Sequence, residues 1–192
     1  MKNILIAGVG GQGTLLASMV FGQVALELGY DLKLSEVHGM AQRGGSVITY
    51  VRMGDEGETV YSPVIDEGGA DILLAFERLE ALRWLPYLKP DGKVFMNTQE
   101  VLPMPVITGA AQYPENVEQT ILRQFTDAVF IDALAIAKEA GNVRAVNTVL
   151  IGVLASQLSI DKDVWVRAIR AVVKPQFADL NEKAFLMGYN YR

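Results

Sequence analysis

The sequence predicts an α/β fold: a Rossmann-like, three-layer α/β/α domain with a mainly parallel sheet, a β-hairpin insertion and a helical C-terminal part. Three observations lead there. A short apolar run, Ile4-Leu5-Ile6-Ala7, ends in Gly8-Val9-Gly10-Gly11-Gln12-Gly13 and is followed by a helical pattern. Residues 70–76, 93–97 and 128–132 read as further strands of the same kind. Beyond residue 132 the pattern is helical almost throughout.

Each element follows from local chemistry. Residues 4–7 read as a buried parallel strand. In residues 14–28, Leu16, Val20, Val24 and Leu28 recur every fourth position, flanked by Leu15 and Met19, which predicts a helix with one apolar face. Gly29 is its expected stop. Residues 31–37 read as a second strand, completing a βαβ unit expected to be right-handed. Residues 38–46 form a polar, glycine-bearing loop. A strand over 47–53, the turn Gly54-Asp55-Glu56-Gly57 and a return strand over 58–62 would make the hairpin.

After the strand at 70–76 comes a short helix over 78–88, ended near Pro90-Asp91-Gly92, then the strand at 93–97. Residues 98–118 carry Pro103, Pro105 and Pro114 and read as a surface excursion with one short strand near Val106-Ile107. Four helices close the chain. The first covers 134–140 and stops at Gly141. The second, over 145–158, is apolar nearly all round and therefore buried. The third, over 164–173, has apolar pairs at 164/165, 168/169 and 172/173, with Asp161 or Asp163 as N-cap. The fourth spans 179–187.

Composition bounds the function. The 192 residues suit a single domain spanning 1–192. Hydrophobic residues at 51% and charged residues at 20% supply a core and argue against disorder. The net charge of −5, without a basic block, argues against nucleic acid or an anionic membrane as partner. Absence of cysteine excludes disulfides, a thiol nucleophile and cysteine-ligated iron–sulfur clusters on this chain. A single histidine, His38, excludes a histidine-rich metal site. No stretch reads as a signal peptide or a membrane span, so a cytoplasmic location is expected.

The spacing Gly8-x-Gly10-x-x-Gly13, between strand and helix, fits the dinucleotide fingerprint. Such a loop gives a diphosphate close access to backbone N–H groups at the positive end of a helix. The competing reading is a tight turn that needs glycine for packing alone. Glu36, 23 residues after Gly13, has the place of a ribose-binding acid or is a plain loop carboxylate. The loop His38-Gly39-Met40-Ala41-Gln42-Arg43-Gly44-Gly45-Ser46 is the second candidate. An arginine among glycines suits a phosphate or carboxylate, or ties the loop to neighbouring carbonyls. His38 reads as a structural hydrogen-bonder before an acid or base. Asn147 reads as a satisfied buried amide before a ligand contact. Trp84 and Trp165 fit helix faces turned to the core or an interface, Asp66-Glu67 fits a solvated loop, and Asp71 fits the entry to a strand. Gly54-Asp55-Glu56-Gly57 lacks the downstream asparagines of a thiamine diphosphate motif.

Residues 4–13, Ser35-Glu36-Val37-His38-Gly39-Met40-Ala41-Gln42-Arg43-Gly44-Gly45-Ser46-Val47, and Ala70-Asp71-Ile72-Leu73-Leu74-Ala75-Phe76-Glu77 together resemble the gamma-type domain of 2-oxoacid:ferredoxin oxidoreductases. The second stretch is most similar to the small (beta) subunits of the indolepyruvate type. The resemblance runs over nearly the whole chain. It implies a subunit of an enzyme that oxidatively decarboxylates a 2-oxoacid on thiamine diphosphate. The acyl group passes to coenzyme A, and electrons pass singly through iron–sulfur clusters to ferredoxin. It implies that thiamine diphosphate and the clusters lie on a large partner subunit, and that this chain is inactive alone. The positions matching the family's loops are Gly8, Gly10, Gly11, Gln12 and Gly13, and His38, Gln42, Arg43, Gly44, Gly45 and Ser46. Of these the glycine loop and Gln42 to Ser46 are the candidate contacts for coenzyme A as co-substrate. No catalytic residue and no metal ligand is expected here. Two other readings stand beside it: an NAD(P)-binding dehydrogenase domain, and a purely structural assembly subunit.

Overall fold

The computed structural model describes residues 1–39 and 44–191. Its centre is a six-stranded sheet in the order β2-β3-β1-β4-β5-β6. The strands are β1 (Lys2–Val9), β2 (Leu32–His38), β3 (Ser46–Met53), β4 (Ala70–Ala75), β5 (Leu88–Asn97) and β6 (Val129–Ile131). β1, β4, β5 and β6 pair in parallel, whereas β3 runs antiparallel to both β1 and β2. The mainly parallel sheet expected from the sequence is therefore present, with β3 as its reversed member.

Alternation along the strands divides the core in two. Ile4, Ile6, Ile72, Leu74 and Phe95 face one layer of helices. That layer holds α1 (Thr14–Leu28), α5 (Ala133–Ala140), α6 (Val146–Ala155), α7 (Lys162–Val172) and α8 (Ala178–Tyr189). Leu5, Ala7, Leu73, Ala75, Val94 and Met96 face the other cluster. It is closed by Ala81 of α2 (Arg78–Trp84) and by Val117 and Ile121 of α4 (Val117–Leu122). The result is three layers, because the central strands β1, β4 and β5 are apolar on both faces and both need cover.

The helices carry the signals that the sequence displays. α1 begins after Gly13 and ends at Gly29, whose φ of 68° is readily reached only by glycine. Asp161 caps α7 by accepting from the Asp163 N–H at 2.7 Å. α7 turns Val164, Trp165, Ala168 and Ile169 inward, and Trp165 meets Phe21 edge-on at 5.1 Å between ring centroids. α6 is buried nearly all round, as its composition demands. It crosses α8 at backbone distance: a Cβ on Gly152 would lie 2.2 Å from the Phe185 carbonyl oxygen, and one on Gly188 2.0 Å from that of Val149. Among the described residues no helix is long and apolar enough to cross a membrane.

Three expectations are corrected. The segment 58–62 is not a return strand. Both edges of β3 are already taken by β1 and β2, so no ladder is left to join. Side chains hold the segment instead: Asp31 accepts from the Val60 N–H at 2.8 Å, and Arg52 donates to the carbonyls of Ser62 and Val64. The hairpin of this fold is β2–β3. Secondly, β1 and β2 are not neighbours, since β3 lies between them. Thirdly, Val106-Ile107 belongs to a helical turn, α3 (Met104–Ile107), because Pro105 sits in a first turn, where its missing N–H costs nothing. α4 lies at the end of the excursion and has only two buried apolar positions, Val117 and Ile121, to announce it.

Candidate functional site

The carboxyl ends of β1, β4 and β5 meet in a dense set of backbone contacts. Gln12 reaches back across its own loop: its Oε1 accepts from the Val9 N–H at 2.9 Å and its Nε2 donates to the Phe76 carbonyl at 3.1 Å. Asn97 Nδ2 donates to the same carbonyl at 3.1 Å, and Asn97 Oδ1 accepts from the Ala133 N–H at 3.2 Å. The side chain of Gln12 thus fixes the glycine loop to the end of β4. Gly11 and Gly13 have φ of 99° and 84°, a region that side-chain-bearing residues enter at a cost of roughly 1–2 kcal/mol.

The second loop is built onto the first. The Gly10 N–H donates to the Gly45 carbonyl at 2.9 Å, and the Gly44 N–H approaches the Gly10 carbonyl at 3.5 Å. Ser46 donates to the buried Glu80 carboxylate at 2.5 Å. The structure therefore brings Gly8, Gly10, Gly11, Gln12 and Gly13 together with Gly44, Gly45 and Ser46. Gln42 and Arg43 lie outside the described residues.

Two buried carboxylates support this edge. Glu80 also accepts from Arg83 Nε at 3.1 Å and Trp84 Nε1 at 3.3 Å. Glu77, 1% exposed, caps α2 by accepting from the Glu80 N–H at 3.0 Å. It accepts as well from the Val101 N–H at 3.1 Å and the Tyr113 hydroxyl at 2.5 Å, which draws the 98–118 excursion back over the sheet. Burial first, and the adjacent Glu77 carboxylate second, push the Tyr113 phenol well above its ordinary value. Arg78 pairs with Glu100 and Glu118 on the outer side.

Glu36 is exposed on β2, where its Oε2 accepts from the buried Thr49 hydroxyl at 3.1 Å and the Thr14 hydroxyl at 3.4 Å. It borders a cleft with Gly10, Gly11, Gly13, Leu15 and the exposed His38. The inserted β3 sets Glu36 one strand further from β1 than in a fold where the first two strands pair, about 4.8 Å. A second cleft, of about 490 Å³, lies on the other side of the glycine loop between Gly11, Gly13, Gln99, Arg144 and Asn147. Asn147 closes on the loop: a Cβ on Gly13 would lie 2.5 Å from its Nδ2. Its Oδ1 accepts from the Thr148 N–H at 2.8 Å. Asn147 is thus half-buried, bonded through Oδ1 to its own helix, and a wall of the cleft. Arg144 is exposed and appears in no ion pair with a described carboxylate. Sequence reasoning passed over it; the signal was a basic residue just ahead of an apolar helix.

Among the described residues no cluster of three or more His, Asp or Glu side chains is placed to hold a metal ion. The pattern of the pyruvate ferredoxin/flavodoxin oxidoreductase family matches residues 3–191. The chain belongs to that family. It is 44% identical over 191 residues to the indolepyruvate oxidoreductase subunit IorB of Pyrococcus horikoshii, covering 97% of this chain and 93% of that one. The fold matches the pyruvate oxidoreductase subunit PORC of Thermotoga maritima at a TM-score of 0.73 and 22% identity, covering 98% of this chain and 94% of that one. It also matches the 2-oxoglutarate:ferredoxin oxidoreductase of Magnetococcus marinus, solved with 2-oxoglutarate, coenzyme A and succinyl-CoA bound, at a TM-score of 0.68 and 18% identity. There the match covers 98% of this chain but only 30% of the other. This fold therefore occurs both as a short chain and as one part of a much longer one.

Proposed function

We propose that this chain, as one domain, is the small, non-thiamine, cluster-free subunit of a cytoplasmic 2-oxoacid:ferredoxin oxidoreductase of the indolepyruvate type. The large partner subunit carries thiamine diphosphate and the iron–sulfur clusters and delivers electrons to ferredoxin. The 44% identity, over nearly the whole of both chains, to an indolepyruvate oxidoreductase subunit supports the assignment. The observation that carries the role is the hydrogen bond between Gly10 and Gly45, which joins two loops into one surface at the carboxyl end of the sheet.

The donor set fits coenzyme A, and coenzyme A supplies the thiol that accepts the acyl group. Its phosphates are anions, and the surface offers the N-terminal end of α1, the loop amides of Gly11 and Gly13, and the Arg144 guanidinium beside them, on a frame fixed by Gly10, Gly44 and Gly45. Gly8 and Gln12 shape the first loop, and Gln42, Arg43 and Ser46 complete the second, with Arg43 as a further anion partner. The chain's own work is to bind and orient. Cysteine-ligated clusters do not fit here, since the sequence has no cysteine, and Gly54-Asp55-Glu56-Gly57 lacks the downstream asparagines of a thiamine diphosphate motif. The inserted β3 and the family membership both count against an NAD(P) site.

The test is co-expression with the large subunit encoded in the same genome, followed by calorimetry. The expected result is a complex that contains thiamine diphosphate, absorbs as an iron–sulfur protein, and binds coenzyme A but not NAD. A lone homodimer, or a complex that responds to NAD instead, would overturn the proposal. Arg43→Ala that assembles normally yet weakens coenzyme A use separates the binding role from a purely structural one.

A further inference from the structure

α1 is apolar on the wrong side as well as the right one. Its inner face, Ala17, Val20, Phe21 and Val24, is buried in the core. Its outer face carries Leu15, Met19 and Leu26, which are 60%, 46% and 74% exposed. With Gly22 these fall at spacings of 4, 3 and 4, the seam that one helix presents to another. A Cβ built on Gly22 would meet nothing within 4 Å, so the seam is open at its middle. From Thr14 to Leu26 the helix has no charged residue, and the one acid near its end, Glu27, is paired with Arg167. An apolar helix face belongs in an interior, and in this chain alone Leu15, Met19 and Leu26 face water.

Among the described residues the other exposed apolar side chains lie in loops, on the edge strand β2 or on short helices and turns, among them Tyr61, Val64, Leu102, Met104 and Ile107. Among the described residues the α1 seam is the one on a long helix. It also starts at the candidate site, because Leu15 lines the cleft in front of Gly10, Gly11, Glu36 and His38. In the Magnetococcus chain this fold is held to the rest of the enzyme by covalent connection, whereas a separate subunit needs a contact surface to replace it. We propose that the outer face of α1, Leu15-Met19-Gly22-Leu26, is the docking face for a helix of the large catalytic subunit, and that docking there closes the cleft beside the two loops. This rests on the function proposed above.

The test compares wild type with Met19→Glu/Leu26→Glu and with the milder Met19→Gln/Leu26→Gln, each co-expressed with the large subunit. Both positions are exposed, so circular dichroism and thermal melting of the small subunit should not change. A buried carboxylate with no partner should weaken association by roughly tenfold or more, with the Gln pair intermediate. Full retention of the complex by the Glu pair overturns the docking face while leaving the proposed function standing. Failure of wild type to form any complex overturns both. A wild-type homodimer that Met19→Glu/Leu26→Glu converts to monomer assigns the seam to a second copy and overturns the inference.

Discussion

Ser46, the first residue of β3, donates its hydroxyl to the Glu80 carboxylate of α2 at 2.5 Å, so an almost fully buried acid holds the end of the second loop. Ser46→Ala should cost about 2 kcal/mol in stability, the worth of a hydrogen bond to a charged acceptor. It should also raise the KM for coenzyme A in the assembled enzyme more than it lowers kcat. Steady-state kinetics with coenzyme A as the varied substrate checks this; an unchanged KM would remove the loop from coenzyme A handling.

Tyr113 and Glu77 give a pH-dependent contribution. The folded phenol is held above its ordinary value of 10, so it stays protonated where the unfolded chain has already released its proton. The unfolded state then binds fewer protons, and stability falls as pH rises. The contribution is complete below pH 10 and is lost progressively above it. Tyr113→Phe should be less stable than wild type at neutral pH, with the difference shrinking as pH climbs past 10. Urea titrations at several alkaline pH values test the sign; a constant difference would contradict it.

Gly152→Ala should destabilise by about 3 kcal/mol, because the new methyl meets the α8 backbone, which has no rotamer to change. Gly22→Ala, with open space around it, should be neutral or slightly stabilising. Thermal unfolding of the two variants side by side separates close packing from helix propensity.

Arg144→Ala should leave folding and assembly intact, since the side chain is exposed, and weaken coenzyme A binding about tenfold, equivalent to about 1.4 kcal/mol. The loss should diminish at high salt, as for any exposed charge contact. Calorimetry of the complex at two ionic strengths reads both effects.

The parts legible in the sequence were those written in local chemistry. Gly13 and Gly29 bracket α1, Gly141 ends α5, Asp161 caps α7, and the β-branched runs mark the strands. What escaped was set by pairing across distance. Nothing within residues 58–62 says that β1 and β2 have already taken both edges of β3, so an alternating stretch read as a return strand. Val106 and Ile107 favour a strand by type, yet Pro105 starts a helical turn there. At the site, both glycine loops were visible, but their joining through Gly10 and Gly45 depends on the β1–β3 register. The double duty of Asn147 is likewise a matter of how α6 lies against Gly13.

Gly152 and Gly188 leave no soft layer of side chains between α6 and α8, so the two helices behave mechanically as a single plate. Asn147 stands at the first turn of that plate, with its amide against Gly13. A push on α8, near the chain's end, is therefore delivered to the glycine loop without being absorbed on the way.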